Sequence, residues 1–206
     1  MGIKERRLRE RLQRSQEIID AAENVLFSKG ILSATMDDIA REAELGKATL
    51  YVYFKSKDEI LLAIQERALQ LLAKCFREAA RPHARGVDKV KAIGRAYFQF
   101  AQDYPNYYKF ISMFEAIDTK IEVEESMENV MVVNQVLSEC IRVGIEDGTI
   151  RSHLRPEVLA KCLWAMSTGI LQMIDLKGDI FEKYHQIEPQ TFIEYFFQVV
   201  NKGIEI

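Results

Sequence analysis

The sequence predicts an all-α fold: a small three-helix head in the first quarter of the chain, followed by a larger helical body. Three observations carry this expectation. The stretch TMDDIAREAELGKATLYVYFKSK, residues 35 to 57, reads as two short helices joined by a tight turn. Apolar residues recur at three- and four-residue spacing along most of the remainder. Only four prolines and ten glycines interrupt 206 residues, and runs of β-branched residues are few. With 48% hydrophobic residues, a chain of this length can bury a good core as one or two domains.

The chain opens with MGIKERRLRERLQR, where Lys4, Arg6, Arg7, Arg9, Arg11 and Arg14 face only Glu5 and Glu10. Two readings stand side by side: a basic arm for phosphates or a minor groove, or a solvated extension of the first helix, with Leu8 and Leu12 one turn apart. One segment can do both by folding on its partner. Residues 15 to 29 form the first firm helix, striped by Ile18, Ala22 and Val25 with Ile19 and Leu26 beside them, and Gly30 stops it. Its task is to buttress the two short helices of residues 35 to 57. Thr35 and Asp38 have capping-box spacing, so a short helix starts there. Ile39 and Ala43 face inward on it, and small Ala40 allows a close crossing. Glu44, Leu45 and Gly46 make the turn, with Leu45 as its inward plug. The next helix, from about Lys47, turns Leu50 and Phe54 inward and Lys47 and Tyr51 elsewhere. Apolar residues so spaced, with a small one at 40, are what two steeply crossing helices require, and the second is the one such a motif lays in a DNA major groove.

Ser56 and Glu59 repeat the capping spacing and open a longer helix, from Asp58 to about Ala80. It is apolar on two faces, Ile60, Ile64, Ala68 and Leu71 on one and Leu61 and Leu72 on another, which suits a connector. Arg81-Pro82 ends it, and His83 to Gly86 is the expected break between domains. The division is then 1–57 for the head, with its motif at about 35–54, 58–85 for the connector and 86–206 for the body. In the body, Val90, Ile93, Tyr97, Phe100 and Tyr104 keep helical spacing until Pro105. A short aromatic helix runs to about Ala116, and a long one from near Glu122 to Glu146. Pro156 opens a helix bearing Leu159, Leu163, Met166, Ile170 and Met173, and Pro189 opens the last. Both are apolar over too much of their circumference for a monomer's surface, so two copies should pair through them as a four-helix bundle.

The segment ATLYVYFKSKDEIL resembles the signature of the TetR family of bacterial transcriptional repressors, and EIIDAAENVLFSKG is similar to that family's first helix. The likeness covers about residues 15 to 65. It implies a homodimer, joined through the last two long helices, that binds double-stranded DNA at a near-palindromic operator. It also implies that DNA contacts fall on Lys47, Ala48, Thr49, Tyr51, Tyr53, Lys55 and Lys57. Among these, Lys47 can donate to guanine, and Ala48 or Thr49 can meet a thymine methyl. Tyr51 and Lys57 suit phosphates instead. Thr35 and Met36, at the front of the first motif helix, are secondary phosphate candidates. Tyr53 has core packing as its alternative, and Lys55 a plain surface lysine. Two positions depart from the family pattern: Glu44 stands where glycine is usual, and Gly46 where serine often caps the helix.

A pocket for an apolar or aromatic effector is expected among Tyr97, Phe98, Tyr104, Tyr108, Met113 and Phe114, with Met127, Met131, Trp164 and Met166 facing them. Each could equally be ordinary core. Release of DNA on effector binding is what the resemblance implies, with the connector as its route. Two alternatives remain: a DNA-binding regulator without a small-molecule effector, and a helical enzyme carrying a DNA-binding head. No acid–base constellation supports the latter. Gly46-Lys47 lacks the glycine of a phosphate-binding loop, since residue 41 is arginine. His83, His153 and His185 stand singly, and Cys75, Cys140 and Cys162 form no close pair, so neither metal nor cofactor is expected. The net charge of −3 requires any DNA contact to come from a local basic surface. No stretch is apolar enough to span a bilayer, and a cytoplasmic protein is expected.

Overall fold

The computed structural model describes residues 2–116 and 123–206, with side chains for 2–113 and 131–206. Its helices are α1 (Ile3–Lys29), α2 (Met36–Glu42), α3 (Lys47–Tyr53), α4 (Lys57–Ala80), α5 (Gly86–Asp103), α6 (Pro105–Ala116), α7 (Val123–Glu146), α8 (Pro156–His185) and α9 (Pro189–Ile204). Among the described residues the sole extended pairing is one isolated bridge between Ile150 and Glu205. The described residues divide into two compact units, the first of residues 2–67 with 123–126 and the second of the rest, so that one division falls after Arg67, inside α4. The break expected at His83 to Gly86 is not where the units part. The first turns of α4 contribute Ile60, Leu61 and Ile64 to the buried residues of the first unit, while Gly86 is tightly packed within the second.

In the first unit the buried residues are those the periodicity selects: Ile18, Ala22, Val25 and Leu26 of α1, Ile39 and Ala40 of α2, and Leu50 and Phe54 of α3 and its end. Residues 3–14 continue α1 as helix, and all are exposed. Arg67 ties α4 to α1 through Asp20 (2.6 Å), Glu23 (3.1 Å) and the Gln16 carbonyl (2.6 Å).

The start of α2 is closed by a capping box. The Asp38 N–H donates to Thr35 Oγ1 at 3.2 Å, and the Asp38 carboxylate accepts from the Thr35 N–H at 3.2 Å. That carboxylate also accepts from Lys29 Nζ at 2.6 Å and from the Thr35 hydroxyl at 2.8 Å. The Lys29 bond first, and the Thr35 hydroxyl second, hold its pKa down to about 2 against an ordinary 3.8. A carboxylate depressed on folding stabilises above its unfolded pKa, and that contribution fades as pH falls from about 4 through about 2. Asp38→Asn is therefore expected to lower the melting temperature near neutrality. The gap from wild type should close between pH 4 and pH 2, measured by thermal unfolding across that range.

The turn after α2 needs a left-handed residue, and Glu44 supplies it at φ 53°. A side chain there costs about 1–2 kcal/mol that glycine would avoid. Half-buried Leu45 anchors the turn, its N–H donating to the Ala40 carbonyl at 2.8 Å. At the start of α4, Ser56 Oγ accepts from the Glu59 N–H at 3.2 Å. The Glu59 carboxylate returns to the Lys55 N–H at 2.7 Å, one residue earlier than a strict capping box.

The second unit packs α5 and α7 nearly backbone to backbone at Gly86 and Gly144. A Cβ on Gly86 would lie 2.0 Å from the Gly144 nitrogen. The exposed N–H groups at the start of α5 are met from the loop after α7: Gly86 N–H donates to Asp147 (2.7 Å) and Val87 N–H to Thr149 Oγ1 (3.2 Å). The Thr149 hydroxyl and then the Gly86 N–H hold the Asp147 carboxyl below its usual range. Residues 204–206 run beside 149–151, where Arg151 N–H donates to the Ile204 carbonyl at 3.2 Å, and Glu205 meets Lys91 at 3.0 Å.

Candidate functional site

Helix α3 is short and buries little of itself: Leu50 is fully buried, Tyr53 half-buried, and Lys47, Ala48, Thr49, Tyr51 and Val52 are exposed. Its outward face therefore offers one ammonium, two hydroxyls and a strip of methyl groups, which is chemistry suited to base edges. Lys47 Nζ lies 2.8 Å from Asp37 of α2, and that carboxylate raises the lysine's pKa. The pair is solvent-exposed, so it costs little to exchange for another acceptor. Lys55 is exposed as well. Thr35 spends its hydroxyl on the α2 cap, and Met36 is half-buried. Lys57 differs from its sequence assignment. Its ammonium is turned inward and donates to the carbonyls of Ile31 (2.7 Å) and Ala34 (2.9 Å), closing the loop between α1 and α2.

Within the second unit, Phe76, Tyr97, Leu163, Trp164, Phe196 and Phe197 surround a cavity of about 40 Å³ whose polar lining is Lys91, Ser167 and Asn201. That space holds one or two waters, so a larger guest must displace side chains. Tyr97 is the hub, its ring 5.0 Å from Trp164 and 6.2 Å from Tyr108, and its hydroxyl 2.9 Å from Thr168 Oγ1. Phe98 is buried beside Phe197, with centroids 5.2 Å apart. Of the effector residues named from the sequence, Tyr97 and Trp164 line the cavity, and Phe98 and Tyr108 pack next to its walls. Tyr104, Met113, Met131 and Met166 are exposed, and Phe114 and Met127 lie outside the described side chains. Met166 went astray because α8 is apolar on two faces, and spacing alone does not say which one turns inward.

Residues 18–64 match the family model described as bacterial regulatory proteins, tetR family. The Fatty acid metabolism regulator protein of Bacillus subtilis is 19% identical over 190 residues, 85% of this chain and 95% of that one. Within the first unit, residues 18–64 thus match the tetR family. The HTH-type transcriptional activator FasR of Mycolicibacterium smegmatis is 32% identical over 99 residues, 48% of this chain. The match spans about half the length of FasR (45%) and of several other relatives (47%). Among solved structures, the transcriptional regulator FadR from Bacillus subtilis in complex with stearoyl-CoA superposes with a TM-score of 0.76 at 18% identity, covering 92% of this chain and 99% of that one.

In this tetR-family head the sequence reading passed over Val52, which is 68% exposed on α3. Its signal was present: Val52 is one turn beyond Ala48 and opposite Leu50, so the three methyl-bearing residues 48, 49 and 52 share the open side. The Lys57 geometry carried no such signal, because its acceptors are backbone carbonyls more than twenty residues away.

Proposed function

We propose that the chain is a homodimeric transcriptional regulator that reads a near-palindromic duplex with α3 and releases it when a small apolar or aromatic effector enters the second unit. The observation that carries the reading is the open face of α3, where Lys47, Ala48, Thr49 and Val52 stand exposed around a single buried anchor, Leu50. Lys47 and the methyl strip read bases, while Tyr51 and Lys55 hold phosphates. Dimerisation is supported by an uncovered apolar stripe along α8, Val158, Met166, Met173, Leu176 (74% exposed), Ile180 and Tyr184, with Tyr195 and Val199 on α9. Two heads then address two half-sites.

The aromatic cavity supports the effector, and an acyl chain is chemistry its walls accept. The Bacillus subtilis regulators named for fatty acid metabolism and bound to stearoyl-CoA make that class the first to try. Entry requires Phe197 to move, since its ring edge already lies 2.8 Å from where a Cβ on Gly94 would be. Helix α4, shared by both units, is the route by which the guest loosens the head. The sign of regulation follows from operator position relative to the promoter. FasR is named an activator, and repression is the simpler expectation here.

Selection of bound oligonucleotides at defined salt tests the residue roles. Lys47→Ala is expected to relax preference at one base position of each half-site, costing about 1–3 kcal/mol of discrimination. A variant that selects the same sequence with the same stringency would remove Lys47 from the reading surface.

A further inference from the structure

Beside α3 the first unit has a second exposed surface that the reading by α3 alone leaves unused. The N-terminal turns of α1 run past the end of α3, and an open groove lies between them, with Arg7, Arg11 and Arg14 interleaved with Glu10, Gln13 and Glu17 on the α1 wall and Val52 and Tyr53 on the other. The basic residues of this segment are not equivalent. Arg6 is paired with Glu10 at 3.5 Å and Arg14 with Glu17 at 2.7 Å, while the Glu5 carboxylate accepts from the Gly2 N–H at 2.9 Å. Among the described residues, Arg7 and Arg11 have no acidic partner, and they are one helical turn apart on the groove side. With the groove's two carboxylates, Glu10 and Glu17, taken up by Arg6 and Arg14, the guanidiniums of Arg7 and Arg11 are left on a regular helix beside the base-reading residues, a fixed anion track rather than a flexible tail.

We propose that this groove seats one strand of the duplex backbone, with Arg7 and Arg11 on successive phosphates and the Tyr53 side wall against the sugar. The inference rests on the DNA-reading role proposed for α3. Guanidiniums match phosphate oxygens in charge and fork geometry. Because the segment is already helical, its contacts fix register along the duplex without reading sequence.

The test uses the full chain, a labelled duplex carrying the selected site, and a scrambled duplex of the same length, with affinity followed against salt. The Arg7→Ala/Arg11→Ala variant is expected to lose about 1.8 from the salt slope per bound protomer, because each phosphate contact contributes about 0.9. At low salt it should bind both duplexes about 10- to 100-fold more weakly, with their ranking unchanged. Arg7→Lys/Arg11→Lys should keep the slope, and so should Arg151→Ala, which removes an exposed charge from the second unit. Circular dichroism checks that α1 persists in each variant. A double-alanine variant with the wild-type slope overturns the groove assignment and leaves α3 untouched. A changed base preference next to the half-sites overturns the backbone assignment in favour of minor-groove reading. Wild-type protein that binds neither duplex overturns the α3 reading itself.

Discussion

Gly86→Ala is expected to destabilise the second unit by about 3 kcal/mol or more, the upper end for overpacking a core. The added methyl would point at backbone, 2.0 Å from Gly144 N and 2.2 Å from its Cα, so no rotamer change relieves it. Helices α5 and α7 would have to part, and the caps from Asp147 and Thr149 to the Gly86 and Val87 N–H groups would stretch with them. Gly203→Ala is the matched control: α9 has open space at that position, and the change should stabilise by about 0.5–1 kcal/mol through helix propensity. Urea unfolding followed by fluorescence of Trp164, which lies in the second unit, reads both. Equal midpoints for Gly86→Ala and wild type would mean that α5 and α7 do not cross at this distance.

Lys57→Met should cost the head about 2–3 kcal/mol without any DNA present. The ammonium donates to two carbonyls, and a hydrogen bond to a charged group contributes about 1.5–3 kcal/mol where its partner is otherwise buried. Methionine keeps the length of the side chain and removes the donor, leaving the Ile31 and Ala34 carbonyls to find water. The variant would weaken binding to all duplexes alike, as a lost phosphate contact also would. Stability and salt slope separate the two causes. Lower stability with an unchanged slope identifies a loop clamp, whereas full stability with a slope smaller by about 0.9 identifies a phosphate ligand. Backbone hydrogen exchange in α2 and α3 provides the stability readout for the head.

The sequence made the head legible nearly to the residue, because its signals are local and mutually consistent. The Thr35–Asp38 box, the turn at Glu44 and the inward pair Leu50 and Phe54 each follow from spacings of three or four residues. Even the family departure at Glu44 had a physical meaning, namely a left-handed residue without glycine's freedom. The failures involve distance along the chain. Lys57 reaches carbonyls at 31 and 34, and Gly86 is shaped by Gly144, so neither constraint is visible in a local pattern. The division of α4 after Arg67 was hidden for another reason: a continuous helix has no breaker at the point where its packing partners change. Aromatic composition led to Tyr97 and Trp164, and both line the cavity of the second unit. Met166 lies on the uncovered one of the two apolar faces of α8, which spacing alone does not tell from the covered one.

The most direct measurement is the affinity of the purified chain for its selected duplex against a scrambled one at about 0.15 M salt, with stoichiometry from sedimentation. If α3 reads base edges from a paired molecule, the selected duplex should bind at least about a thousandfold more tightly, with two protomers on each near-palindrome. A chain that stays monomeric and holds both duplexes equally would contradict the proposed role of α3.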